Sequence, residues 1–235
     1  MPGKKAEVFT FDQERAARVR TFFLKFLRHS KGEWAGKPFE LLPWQWDDVV
    51  KPLFGWIRKD GTRKFRKAYI EIPKKGGKTT LCAGLSLYLL IGDSESGAEV
   101  YSAACAHDQA GMIFQEAASM VEQSPALKDH VEIIRSQKRL VFHRSRSFYK
   151  ALSADVPTKE GLNIHGLVFD ELHAQPNRDL WDCLQYGGAS RRQPMQIAIT
   201  TAGWDRHSIC WEQHRYAEQV LAGIIDDPTF FAFIA

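Results

Sequence analysis

Lys67-Ala68-Tyr69-Ile70-Glu71-Ile72-Pro73-Lys74-Lys75-Gly76-Gly77-Lys78-Thr79-Thr80 decides how this chain is read. A β-leaning run enters a turn with two glycines, and an apolar helix beginning Leu81-Cys82-Ala83-Gly84-Leu85 leaves it. In that order, successive backbone N–H groups and a helix N-terminus point into one concavity, which attracts phosphate oxygens. Gly76 and Gly77 let the backbone come close to a ligand, Lys78 reaches terminal phosphates, and the Thr79 hydroxyl is placed to hold Mg²⁺. The match is incomplete: G-x-x-x-x-G-K-[ST] ending at Thr79 asks for glycine at position 72, and the chain has Ile72.

Working outward, residues 11–29 carry Ala16, Val19, Phe22, Phe23, Phe26 and Leu27 at helical spacing, predicting an amphipathic helix. After a break at Gly32 to Pro38, Leu41-Leu42-Pro43-Trp44-Gln45-Trp46 opens a second helix predicted to run to about Ile57. Downstream, a strand at 99–104, a helix at 107–123 and three short strands between 131 and 152 with basic turns follow, the last three as a small antiparallel extension. Ile164 to Phe169 is a continuous apolar run, as expected of a strand buried on both faces. A helix near 177–187, a strand at 195–200 and a helix at 208–224 complete an alternation that predicts an α/β fold with a mainly parallel sheet flanked by helices.

Composition sets the bounds. The chain has 235 residues, 44% hydrophobic and 26% charged, with net charge +4, ordinary for a globular protein and compatible with a nucleic-acid partner. The four cysteines, Cys82, Cys105, Cys183 and Cys210, lie far apart, so neither a disulfide framework nor a zinc site is expected. The N-terminus lacks a secretory pattern and the apolar run at 81–91 is too short to span a bilayer, so no membrane association and an intracellular location are expected.

The second chemical signal is Leu167-Val168-Phe169-Asp170-Glu171-Leu172-His173. Three apolar residues and then Asp-Glu, at the carboxyl end of a core strand, fix Asp170 beside a Mg²⁺ shell, while Glu171 can orient and deprotonate a water. Such a pair also suits a helix N-terminus; the phosphate loop upstream favours hydrolase chemistry. The third is Ile197-Ala198-Ile199-Thr200-Thr201-Ala202-Gly203, an apolar strand that ends in hydroxyls at the edge where ligands sit in open α/β sheets, able to sense a γ-phosphate. Pro43-Trp44-Gln45 offers an amide for an adenine edge; on composition alone it is the opening turn of a helix.

Together, Leu-x-Pro-Trp-Gln, a deviant loop ending Gly-Lys-Thr-Thr, Val-Phe-Asp-Glu-Leu-His and Arg-x-Gln-Pro followed by Thr-Thr-Ala-Gly resemble the ATPase domain of large terminase subunits from tailed bacteriophages, over roughly residues 40–205. The resemblance implies a P-loop NTPase fold of the ASCE/RecA-like kind and an Mg-dependent ATPase that moves double-stranded DNA into a procapsid in the host cytoplasm. It implies Gln45 at adenine, Lys74 through Thr80 at the phosphates, Thr79 and Asp170 at Mg²⁺, Glu171 as catalytic carboxylate, and Thr200, Thr201 and Gly203 as the coupling motif. Where the family commonly has arginine, four residues before the lysine, this chain has Lys74, which keeps the charge but not the planar fork. These motors act as rings in which a neighbour supplies an arginine; Arg191 is the first candidate, with Arg192, Arg144 and Arg146 as others. The portal protein and the small terminase subunit are the further partners implied. DNA contact is expected through phosphates, with Lys138, Arg139, Arg144 and Arg146 as one surface.

The domain reading is an N-terminal helical segment, residues 1–60, on an ATPase core of residues 61–235, in a chain that looks cut before the family's nuclease domain. Two rivals remain: a helicase-like ATPase, and a nucleotide-gated DNA or portal binding module with little turnover.

Overall fold

The computed structural model describes residues 8–104, 107–152 and 161–235, with only the backbone for 107–110; Cys105 lies outside them. A short strand, β1 (Phe9–Phe11), leads into helix α1 (Gln13–Phe26), where Asp12 caps the first turn by accepting the Arg15 N–H at 3.0 Å. The helical spacing buries Ala16, Val19, Phe22 and Phe23 on one face. Past a loop, a π-helical turn at Gln45–Val50 runs into α2 (Lys51–Gly55) and then β2 (Trp56–Arg58). The second helix therefore stops at Gly55, short of the Ile57 expected from sequence. Trp56 turns extended, and residues 56–58 pair antiparallel with β1. Cross-strand pairing outweighs helix propensity there.

The rest alternates as the sequence predicts: β3 (Lys67–Glu71), α3 (Lys78–Leu87) prolonged by a π-helical turn at Tyr88–Gly92, β4 (Glu99–Ala103), α4 (His107–Gln123), the meander β5 (Val131–Ile134), β6 (Arg139–Phe142) and β7 (Ser147–Leu152), then β8 (Ile164–Asp170), α5 (Asp179–Leu184), β9 (Met195–Thr200), α6 (Ile209–Leu221) and β10 (Phe230–Ile234). The main sheet has eight strands in the order β10-β3-β9-β8-β4-β7-β6-β5. Six neighbours, β10 to β7, run parallel, and β6 and β5 extend the β7 edge antiparallel.

Period-2 alternation divides the core between the two faces. Ala68, Ile70 and Ile72, Val168, and Ile197 and Ile199 face one cluster with α1, α3 and α4. Tyr69, Leu167, Phe169 and Ala198 face the other with α5 and α6. All seven residues of β8 are buried, His165 and Asp170 included, which is why the rest of the strand is apolar on both faces. On the first face α1 lies directly on α3: a Cβ at Gly84 would stand 2.5 Å from the Phe23 ring, so only glycine admits this approach. The register also aligns the carboxyl ends of three strands, pairing Glu71 with Thr200 and Ile199 with Asp170.

Candidate active site

The phosphate loop follows β3 without a break in the hydrogen-bond ladder, since the Ile72 N–H donates to Thr200 O at 3.0 Å. Ile72 is 2% exposed and belongs to the core under the loop, which accounts for a bulky residue where the usual signature has glycine. The chain then turns through Pro73–Gly77. Gly77 sits at φ 76°, the left-handed conformation that glycine adopts at little cost, and Lys75 adopts φ 67° without that licence. Gly77 caps α3 with no side-chain acceptor, and no acidic residue lies in the first turn. The first N–H groups of α3 are left for an outside anion. Lys74 and Lys75 are exposed, Thr79 and Thr80 are half-buried, and Lys78 is buried.

Lys78 meets the second signal directly: its Nζ lies 3.4 Å from Glu171 Oε1. Asp170, at the end of β8, is buried and its Oδ1 has no hydrogen-bond partner. Burial first, and the Glu171 charge second, push the Asp170 carboxyl up to about 6, with Lys78 pulling the other way. Glu171 is held in a left-handed backbone conformation, φ 52°, and its N–H donates to Ile199 O at 3.0 Å. A non-glycine residue there costs on the order of 1–2 kcal/mol, strain of the kind that clusters at functional sites.

The third signal closes around the same point. His173, on the turn Leu172–Ala174, donates its backbone N–H to Thr200 Oγ1 at 3.2 Å. Its Nδ1 lies 3.1 Å from Thr200 Oγ1 and 3.3 Å from Thr201 Oγ1. Gly203 packs on the same residue, where a Cβ would be 3.2 Å from His173 Cβ.

On the other side of the loop Gln45 is 2% exposed and accepts the Leu42 N–H through Oε1 at 3.0 Å. Its Nε2 would be 3.5 Å from a Cβ at Gly77. It opens onto a cavity of about 980 Å³ lined by Trp34, Leu42, Trp46, Gly77 and Thr80, large enough for a nucleoside.

A family model described as the terminase large subunit ATPase domain matches residues 43–219. The chain belongs to this terminase family. It is similar to the large terminase subunit of Enterobacteria phage HK97, with 30% identity over 190 residues, 80% of this chain and 36% of that protein. The crystal structure of the HK97 large terminase matches with a TM-score of 0.78 at 26% identity, covering 94% of this chain and 43% of that one. The ATPase domain of the Thermus phage P74-26 large terminase shares the fold, with a TM-score of 0.56 at 18% identity over 72% of this chain and 75% of that one. The chain therefore spans less than half the length of its HK97 relatives.

Set in the terminase frame, β9 lies between the strand of the phosphate loop and the strand of Asp170, as an ASCE/RecA-like sheet requires. Arg191 is the exception among the expected site residues. Its Nη2 donates to Gly97 O at 2.6 Å and Asn163 O at 3.1 Å, its Nε to Asn163 O at 3.2 Å, and its Nη1 lies 3.3 Å from Glu95 Oε1. These partners precede β4 and β8, at the amino ends of the strands. The seven residues of β8, about 20 Å, separate them from Glu171. Within this chain its side chain, 11% exposed, clips these loops together. Arg192 is exposed and donates to Asp60 O at 2.9 Å.

His173 is the residue that sequence reasoning quoted without giving it a role. The signal was present: a histidine two residues beyond Glu171, on a chain whose neighbouring strand ends in two hydroxyls. Among the described residues no group of three or more His, Cys, Asp or Glu forms an all-protein metal cage, and no helix is long and apolar enough to cross a membrane.

Proposed function

We propose that this terminase ATPase domain hydrolyses ATP at the Lys78–Glu171 site and that the cycle drives double-stranded DNA into a procapsid. The observation that carries the reading is the 3.4 Å approach of the phosphate-loop lysine to Glu171, next to a buried Asp170 whose Oδ1 has no protein partner. Gln45 reads the adenine edge. Backbone N–H groups from Gly76 to Thr80, with Lys74, Lys75 and Lys78, hold the phosphates.

The orphaned Asp170 Oδ1 and the Thr79 hydroxyl are oxygen donors suited to Mg²⁺, which keeps several waters and binds through one or two carboxylates plus phosphates. When bound there, the cation supplies charge stabilisation on the phosphate oxygens. Lys78 leaves Glu171 for the terminal phosphates. The freed carboxylate takes a proton from water, the water oxygen bonds to the γ-phosphorus, and the bridging P–O bond breaks to release ADP. Thr200, Thr201 and Gly203 pass that event to neighbouring segments.

The wider reading places the domain in a ring of identical subunits, docked on a portal protein and working with a small terminase subunit, in the cytoplasm of an infected bacterium. Arg191 remains the first candidate to reach a neighbour, and Arg144 and Arg146, which are exposed, are the alternatives. With Lys138 and Arg139 they also form the surface for DNA phosphates. Residues 1–60 act as a helical segment packed on the 61–235 core.

Phosphate release measured against protein concentration tests the proposal. Glu171→Gln is expected to lower turnover by about a hundredfold or more while retaining bound ATP. Lys78→Ala is expected to lose nucleotide binding. Normal ATP affinity in Lys78→Ala, or unchanged release in Glu171→Gln, overturns the site assignment. Low release in the wild type that equals the Glu171→Gln rate favours a nucleotide-gated binding module.

A further inference from the structure

We propose that His173 is a positioning residue that ties Glu171 to the end of β9 through a single shared hydrogen. The proposal rests on Glu171 being the catalytic carboxylate. His173 Nδ1 has three oxygens in reach: Thr200 Oγ1 at 3.1 Å, Thr201 Oγ1 at 3.3 Å and Glu171 Oε2 at 3.1 Å. The Thr200 hydroxyl already donates to Thr201 O at 2.9 Å, so its oxygen faces the imidazole as an acceptor. A carboxylate oxygen is also an acceptor. Both ask for a hydrogen on Nδ1, and a ring nitrogen carries only one. The Thr201 hydroxyl alone can instead donate to a bare Nδ1; with the hydrogen on Nδ1, as proposed, Thr200 and Glu171 are in competition.

The heavy-atom geometry favours the Thr200 side over Glu171. The contact with Thr200 has hydrogen-bond geometry, whereas Glu171 Oε2, although close to Nδ1, is buried without an aligned donor. Meanwhile Oε1 is engaged by Lys78. Glu171 is thus restrained by its cation partner, and the histidine is turned to β9. When Lys78 moves to phosphate, Glu171 loses that partner, and the Nδ1 hydrogen is the nearest donor left. A small rotation re-aims it from Thr200 to Oε2, with no bond to hydrogen broken. Oε2 is then fixed, Oε1 faces the attacking water, and Thr200 loses one of its two donors while keeping the His173 backbone N–H. Because Gly203 lies against His173, that change is delivered to the segment after β9.

The test uses the geometry of the donor. An asparagine amide places its nitrogen near the position of Nδ1, whereas a glutamine amide reaches toward Nε2. For the wild type, His173→Asn, His173→Gln and His173→Ala, phosphate release gives kcat and KM, and a fluorescent ATP analogue gives Kd. Kd is expected to stay within about twofold, with kcat down about tenfold or more in the Gln and Ala variants and about a third of it kept in His173→Asn. Equal losses in Asn and Gln, unchanged kcat in Ala, or a rise in Kd that matches the loss of kcat overturns the proposal. Histidine ¹⁵N spectra give a readout that needs no turnover. The His173 Nδ1 resonance is expected to move when ATPγS and Mg²⁺ are added to the wild type, and an unmoved resonance with nucleotide bound overturns it. Unchanged release in Glu171→Gln points instead to a failure of the underlying catalytic assignment.

Discussion

Two buried aspartates, at opposite ends of the sheet, have been treated in opposite ways. Asp93, after the π-helical turn that ends α3, accepts Arg63 Nη1 at 2.6 Å on both oxygens and lies 2.7 Å from His165 Nε2. Burial pushes its carboxyl up, yet the Arg63 charge and the His165 hydrogen bond outweigh burial and hold it below its ordinary value. Asp170 is buried as well, but one oxygen has no donor and the carboxyl is pushed up to about 6. At the amino end both oxygens of the Asp93 carboxylate are paired within the chain. The carboxyl end is left wanting a partner from outside. Where a fold leaves an ionisable group unsatisfied beside a strained backbone, it is holding a place for a ligand.

The contrast can be broken most forcefully at Arg63, which is 3% exposed and also donates to Gln193 O. Arg63→Ala removes the charged partner of a buried carboxylate, leaving it the His165 ring alone, and is expected to cost about 3–5 kcal/mol in urea unfolding. A loss under about 1 kcal/mol would mean that this end is no more locked than the other. The pH behaviour follows from the sign of the Asp93 shift. A depressed carboxyl adds stability above its unfolded value near 3.8, and that stability is lost as pH falls through the lower folded value. Acid unfolding of the wild type should therefore be steeper than that of Arg63→Ala.

Asp170→Asn should act in the reverse direction. An acid whose folded value is raised has its neutral form favoured by the fold, so the stabilising contribution is complete below the unfolded value near 3.8 and is lost as pH rises through about 6. Without nucleotide, the variant is expected to be more stable than wild type by on the order of 2–3 kcal/mol at pH 8, with the difference shrinking by pH 4. ATP hydrolysis should be lost at either pH. An equal or lower melting temperature at pH 8 would remove the idea that Asp170 is held at a cost. The smallest effect is expected at Lys75, whose left-handed backbone needs no side chain. Lys75→Gly should gain about 0.5–1 kcal/mol without nucleotide by relaxing that backbone, and should weaken ATP affinity only modestly through the loss of one exposed charge, as read by thermal melts and nucleotide titration.

What could be read in the sequence followed physical period and local chemistry. The apolar run into Gly76-Gly77-Lys78, the Asp170-Glu171 step after Val168-Phe169, and Thr200-Thr201 after Ile197–Ile199 each announce a strand and what stands at its end. β1 and β2 could not be read: each has three residues, too few for an alternation, and Trp56-Ile57 also fits a helix. The place of Arg191 depends on carbonyls at Gly97 and Asn163, and no local pattern near Arg191 encodes them. The meeting of His173 with Thr200 depends on the β8–β9 register, which pairs Asp170 with Ile199 and is set only when the sheet assembles.

The notch at Gly84 makes the N-terminal helix a mechanical part of the phosphate site. Phe23 fills the space a side chain would take, and Phe22 stacks edge-on against Tyr88 at 5.5 Å, about one turn further along. Close-packed surfaces of this kind transmit displacement without much give. The fourteen residues of α1 are therefore the flange on which α3 is mounted, and a roll of α3 about its axis carries α1 with it. On the proposed ATPase reading, the packed α1–α3 pair keeps the phosphate loop in the frame and leaves movement to the segments beyond the carboxyl ends of β8 and β9, where His173 and Gly203 meet.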